Sequence, residues 1–239
     1  MMARRQVILA AVLAALLSVS SIAVAVEFGP DSAHITHRYF PVETGAWQIK
    51  LGAGNWTGRV MYTHAVGIDT VSGAQIGAQT FNDVKCLKVN LIHTELNGTD
   101  EFDTIWFAQD TEGNVWLLKI YFPIDDTTYT LGTVFTSWLM PAVPAVGARA
   151  GVTIPETQSD YCEIVDVSIS VDTNYGSYIN CIKVNCFHQL VADEVEYYCP
   201  DMGNVRMSNV AIPPDVMDLK EHGTTTVSKT TAVVIPLMD

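Results

Sequence analysis

The chain lacks helical periodicity, is poor in positive charge, and carries none of the common catalytic signatures. Beyond residue 25 no stretch sustains an apolar repeat of 3.6 residues, which argues against a helical core. After the apolar run Val7–Leu17 no second long run follows, so no membrane-spanning helix is expected in the rest of the chain. Lys and Arg number 13 against 26 Asp and Glu, and a surface so acidic repels nucleic acid and anionic lipid headgroups. Gly-x-Ser-x-Gly, His-Glu-x-x-His and phosphate-loop motifs are missing, so no catalytic residue and no cofactor is expected. Without a Cys-x-x-Cys pair, thioredoxin-type redox chemistry has no support either.

What is there begins with an export leader. Arg4 and Arg5 form a positive start, Val7–Leu17 an apolar centre too short to span a bilayer, and Ala23–Ala25 a small-residue cleavage site. Cleavage after Ala25 is expected. Loss of Arg4 and Arg5 leaves 11 basic against 26 acidic residues, a formal charge of −15. The expected location is periplasmic or extracellular.

The remaining chain has the pattern of strands. Short segments rich in β-branched and aromatic residues occur at 58–66, 84–93, 114–122, 161–171, 177–188 and 224–235. Turn residues at 97–100, 111–114 and 201–204 punctuate them. The segment 212–223, "IPPDVMDLKEHG", reads as a short helical turn or a linker. The expected fold is all-β, an antiparallel curved sheet or barrel-like structure. An internal repeat divides it into a first β unit (26–139), a second (140–212) and a C-terminal linker and strand (213–239). Both units are expected in one domain, with the Pro- and Gly-rich 140–151 as the joint.

The repeat is sharpest in one octapeptide. "CLKVNLIH" (86–93) returns as "CIKVNCFH" (181–188), with five of eight letters unchanged. On a strand, Leu87, Val89, Leu91 and His93 share one face, and Cys86, Lys88, Asn90 and Ile92 the other. The Leu/Val face is expected to be the core, with each His at its rim. A turn at Ala192-Asp193 would set Cys186 opposite Cys199 and His188 opposite Tyr197, making Cys186–Cys199 the candidate disulfide in an oxidising compartment. The alternative is two small buried hydrophobes. Cys181 and Cys186 lie roughly 16 Å apart along a strand and cannot join each other. Five cysteines leave at least one unpaired within the chain.

"YFPVETGAW" (39–47), "WFAQDTEGNVW" (106–116) and "YYCPDMGNV" (197–205) resemble motifs of the TapB-like family of exported bacterial β-rich proteins, over about residues 39–220. The spacing from Gly45 to Trp47 is one residue short of the family pattern. Cys199 stands in place of Ala, and Asp201-Met202 in place of Gly and an apolar residue. The resemblance implies a secreted or envelope β protein and no catalytic residues.

Several local constellations compete with plainer readings. His93 and His188 are weak metal candidates, since Cys186 and His188 share a strand face but no third ligand is near in sequence. Histidines at the rim of a core are the simpler account. "DTEGN" (110–114), "NGTDEFD" (97–103) and "IDDTT" (124–128) are rich in oxygen donors, yet none has the twelve-residue calcium-loop pattern, and hairpin turns need the same residues. Trp106, Phe107 and Trp116 could form an exposed binding row, although strand aromatics are usually core. The function expected is therefore non-enzymatic: an exported binding or structural protein, with an apolar small molecule as partner. One alternative is a self-assembling, filament-type surface or matrix protein that uses the β-prone tail 224–239. Another is an enzyme of unknown type.

Overall fold

The computed structural model describes residues 25–76, 79–94, 100–123, 127–130, 139–154, 158–188, 191–210 and 213–225. The expected leader up to Val24, and residues 226–239 of the tail, lie outside them.

Two antiparallel meanders follow one another along the chain. The first comprises β1 (Ala46–Ala53), β2 (Val60–Val71), β3 (Ala74–Ile76), β4 (Gln79–Phe81), β5 (Val84–Thr94), β6 (Asp100–Gln109), β7 (Val115–Phe122) and β8 (Thr127–Thr130). The second comprises β9 (Arg149–Ile154), β10 (Gln158–Asp172), β11 (Ser177–His188), β12 (Val191–Cys199), β13 (Gly203–Asn209) and β14 (Val216–Thr224). A 3₁₀ turn at Gly54–Trp56 links β1 to β2. β3 and β4 form a separate hairpin, and the other twelve strands build one sheet in the order β8-β7-β6-β5-β2-β1-β14-β13-β12-β11-β10-β9. The first strand of one meander thus pairs with the last of the other, β1 with β14. The outermost strands are β8 and β9, and the sheet is open.

The sheet must curl. β5 and β11 stand six places apart in the strand order, roughly 29 Å if the sheet were flat at about 4.8 Å per strand. Yet Leu87 and Val89 of β5 share one apolar cluster with Ile182 and Val184 of β11, Phe107 of β6 and Tyr198 of β12. The inward faces of both meanders enclose that cluster between them, so a curved sheet is the observed fold. Leu87 and Val89 therefore lie on the core face that strand alternation assigns them. The opposite face is also covered locally. Cys86, Trp106, Ala108 and Trp116 pack with Phe81 of β4 and with Val26 and Phe28 of the N-terminal segment.

The two octapeptides sit in matching registers. Leu87 faces Phe107 across β5 and β6, and Ile182 faces Tyr198 across β11 and β12. One step further, Cys181 is bonded to Cys199. The corresponding positions on the first meander are Cys86 and Ala108, both fully buried in one cluster.

Two expectations are corrected. The disulfide is not Cys186–Cys199: Cys186 bonds Cys162, and Cys199 bonds Cys181. β11 runs to His188 and β12 begins at Val191, so the turn lies before Ala192-Asp193. The register slips by five, so that Cys186 faces Glu194 and Lys183 faces Tyr197, and an irregularity after Cys186 adds one more, so that His188 faces Val191. An odd slip moves every side chain of one strand to the other face, which is why Cys199 leaves the face of Cys186. By the same slip Leu91 faces Asp103 rather than Ala108. Second, residues 216–223 are neither helical turn nor linker but most of β14, held between β1 and β13. Asp218 hides the strand pattern in the sequence. It is fully buried because Arg206 grips it with two bonds, Nε to Oδ1 at 2.6 Å and Nη2 to Oδ2 at 2.9 Å, and Asn174 N–H donates to Oδ2 at 3.0 Å. Trp106, Phe107 and Trp116 are all buried, which is the core reading of strand aromatics and not the exposed row.

Candidate functional site

The curled sheet does not fill completely. A cavity of about 250 Å³ opens between the meanders, bounded by β1, β2, β5, β6, β12 and β13. Its apolar walls are Phe40, Met61, Ala65, Leu91, Ile105, Phe107 and Met207. Alternation explains the set: Met61, Thr63 and Ala65 project inward from β2, Leu91 and His93 from β5, and Ile105 and Phe107 from β6. An adjoining space of about 270 Å³ shares Pro41, Val42, Ala46, Trp47 and Gln48 with it and adds His34, Glu43, Asp201 and His222, a more polar lining.

Polar side chains interrupt the apolar wall. Lys50 projects from β1, where it faces Met61 of β2 and Leu219 of β14. It is only 4 % exposed. Burial lowers its pKa to about 8, because a low-dielectric site disfavours the ammonium; Glu196 and Glu194 partly oppose that shift. Glu196 and Tyr198 project from β12, and the Tyr198 hydroxyl donates to Glu196 Oε2 at 2.7 Å. Burial pushes the Glu196 carboxyl up, against the Tyr198 hydrogen bond and the Lys50 charge. Tyr198 is pushed well above the usual phenol range by burial and by Glu196. Asn204 of β13 completes this wall.

Of the residues singled out from the sequence, His93 lines the cavity and faces Met61 across β2. His188 is paired in backbone register with Val191, on the other meander. Cys186 is committed to its disulfide. No group of three or more His, Cys, Asp or Glu side chains among the described residues could hold a metal ion. In "DTEGN" the Asp110 carboxylate accepts from Glu112 N–H, Asn114 N–H, Asn114 Nδ2 and Trp116 Nε1, which is turn and core chemistry. Residues 97–99 and 124–126 of the other two oxygen-rich stretches lie outside the described residues. Trp106 donates from Nε1 to Asp69 at 3.0 Å, and Lys119 Nζ lies 4.3 Å from its ring centroid.

Lys50 and Glu196 were missed because both break the binary pattern. In "EVEY" the apolar letters Val195 and Tyr197 suggest the core face, yet Glu196 and Tyr198 take it. The repeat gave no help: carried forward by the 95 residues that separate the octapeptides, the Asn97-Gly98 pair falls on Ala192-Asp193, which the structure places inside β12. No protein-family model, no curated protein and no solved structure matches the chain.

Proposed function

We propose that this chain is an exported, non-enzymatic binding protein that holds a small apolar-tailed molecule in the cavity between its two meanders. The observation that carries the reading is the cavity itself: an apolar-walled space with a few convergent polar groups, the usual makeup of a small-molecule site. Export is supported by the leader pattern in the sequence and by two disulfides, bonds that persist in oxidising compartments. No helix among the described residues is long and apolar enough to cross a membrane. The test uses protein recovered after export with its own leader. Organic extraction followed by mass spectrometry should yield a co-purifying small molecule, and an environment-sensitive alkyl dye should bind and be displaced by it. A monomer that yields no ligand and binds no dye refutes the reading.

The competing proposal is self-assembly by strand addition. It draws on the open edges at β8 and β9 and on the β-prone tail. Sizing of the full chain against a tail-deleted chain separates the two, since polymers that vanish on deletion favour assembly.

A further inference from the structure

Lys50 is the least explained charge in the molecule. Its side chain is buried within the sheet and lines the cavity. Glu196 and Glu194 are near enough for their charges to act on it. No hydrogen bond or ion pair to its ammonium is found among the described residues. Glu196, the acid on the cavity wall, accepts the Tyr198 hydroxyl at Oε2. A buried charge without a partner is costly, and an apolar side chain of similar length would be more stable there. Asn204 Oδ1 is a second buried polar atom on the same wall with no partner among the described residues. The Lys50 ammonium therefore offers a strong donor to something that is not part of the protein.

The chemistry of that occupant can be narrowed. Lys50 is the only Lys or Arg lining the cavity among the described residues, whereas phosphate and sulfate recognition favours several cations or a bidentate guanidinium. Glu196 also stands on this wall and would oppose a doubly charged head. A single negative charge fits best. The rest of the lining is flexible or flat apolar surface, with Met61 and Met207 among it, and unbranched methionine side chains adapt to an alkyl chain. A space of about 250 Å³ lies just below the usual range of ligand sites, which suits one short tail rather than a two-chain lipid.

We infer that the cavity takes a single-tailed monocarboxylate, its head paired with Lys50 Nζ and its tail laid among Met61, Leu91, Ile105, Phe107 and Met207. The inference rests on the ligand-holding reading and specifies the head that reading leaves open.

The test compares three probes of equal tail on the mature full-length chain by titration calorimetry at neutral pH: octanoate, octanol and octyltrimethylammonium. Octanoate should bind at least about ten-fold tighter than either of the others, the scale of one charge-assisted hydrogen bond. Lys50→Met should erase that preference, bringing the ratio of octanoate to octanol affinity to about one. Glu196→Gln removes the opposing charge and should raise the ratio of octanoate to octanol affinity, a second measurement should Lys50→Met fail to fold. Octanol binding as tightly as octanoate, or a preference that survives Lys50→Met, overturns the inference but leaves the ligand-holding reading standing. Failure of all three probes to bind overturns both.

Discussion

A buried lysine with no hydrogen bond or ion pair among the described residues costs stability, and the pH dependence of that cost has a defined sign. The Lys50 pKa falls from 10.5 to about 8 on folding. Across that interval the folded chain binds fewer protons than the unfolded one, so stability rises with pH from 8 towards 10.5. Below pH 8 the full burial cost of the ammonium is present, about 3 kcal/mol for a shift of this size. Lys50→Met should therefore be more stable than the parent by about 2 kcal/mol at pH 7. It should also lose the rise between pH 8 and 10, as urea melts at several pH values will show. Equal stability of the two chains at pH 7 would mean that the ammonium is solvated in the folded state. Asp218 presents the opposite case, a buried charge fully answered by Arg206 and Asn174. Asp218→Asn leaves the Arg206 guanidinium without its counter-charge and should cost about 3 kcal/mol, measurable as a lowered denaturation midpoint with an unchanged slope.

At the scale of elements, β11 is the most constrained strand. Cys162–Cys186 ties it to β10 and Cys181–Cys199 ties it to β12. The first disulfide lies against the central cluster, while the second packs with Val171, Val205 and Leu219. Replacing Cys181 and Cys199 together by Ala should cost about 3 kcal/mol through the freed loop. A thermal melt of the double variant checks this, with an unshifted midpoint as the contrary result. The first meander has the same geometry without the bond. Burial pushes the Cys86 thiol up to about 12, so iodoacetamide should label it only after unfolding. Ala108→Cys should then close a third disulfide with Cys86. The readout is a thiol count in denaturant: none if the bond forms, two if the registers of the two meanders differ at this step.

On the scale of the whole molecule, the pairing of β1 with β14 turns two consecutive meanders into one sheet. The curl of that sheet creates the cavity. Much of the β architecture was legible beforehand. The expected strands at 84–93, 161–171 and 177–188 coincide with or lie within β5, β10 and β11, because β-branched runs between turn residues carry a strong local signal. β1 and β14 were not legible as strands. Each carries a buried charge, Lys50 and Asp218, in the row where a sequence reader looks for apolar alternation. His93 was legible as a residue at the end of an apolar row, and it lines the cavity. Its neighbours there, Lys50, Glu196 and Tyr198, were not, since they arrive from strands that sequence distance does not connect.

The sequence alone determined the strand character, the inward face of the first octapeptide and the presence of an odd cysteine. These are local properties, set by side-chain shape, two-residue periodicity and counting. Only the tertiary structure decided which cysteines meet, how the sheet curls and what faces the cavity. Register is the physical reason. A slip of five residues leaves the composition of a strand unchanged, yet it exchanges its two faces, separates Cys186 from Cys199 and turns Glu196 towards Lys50.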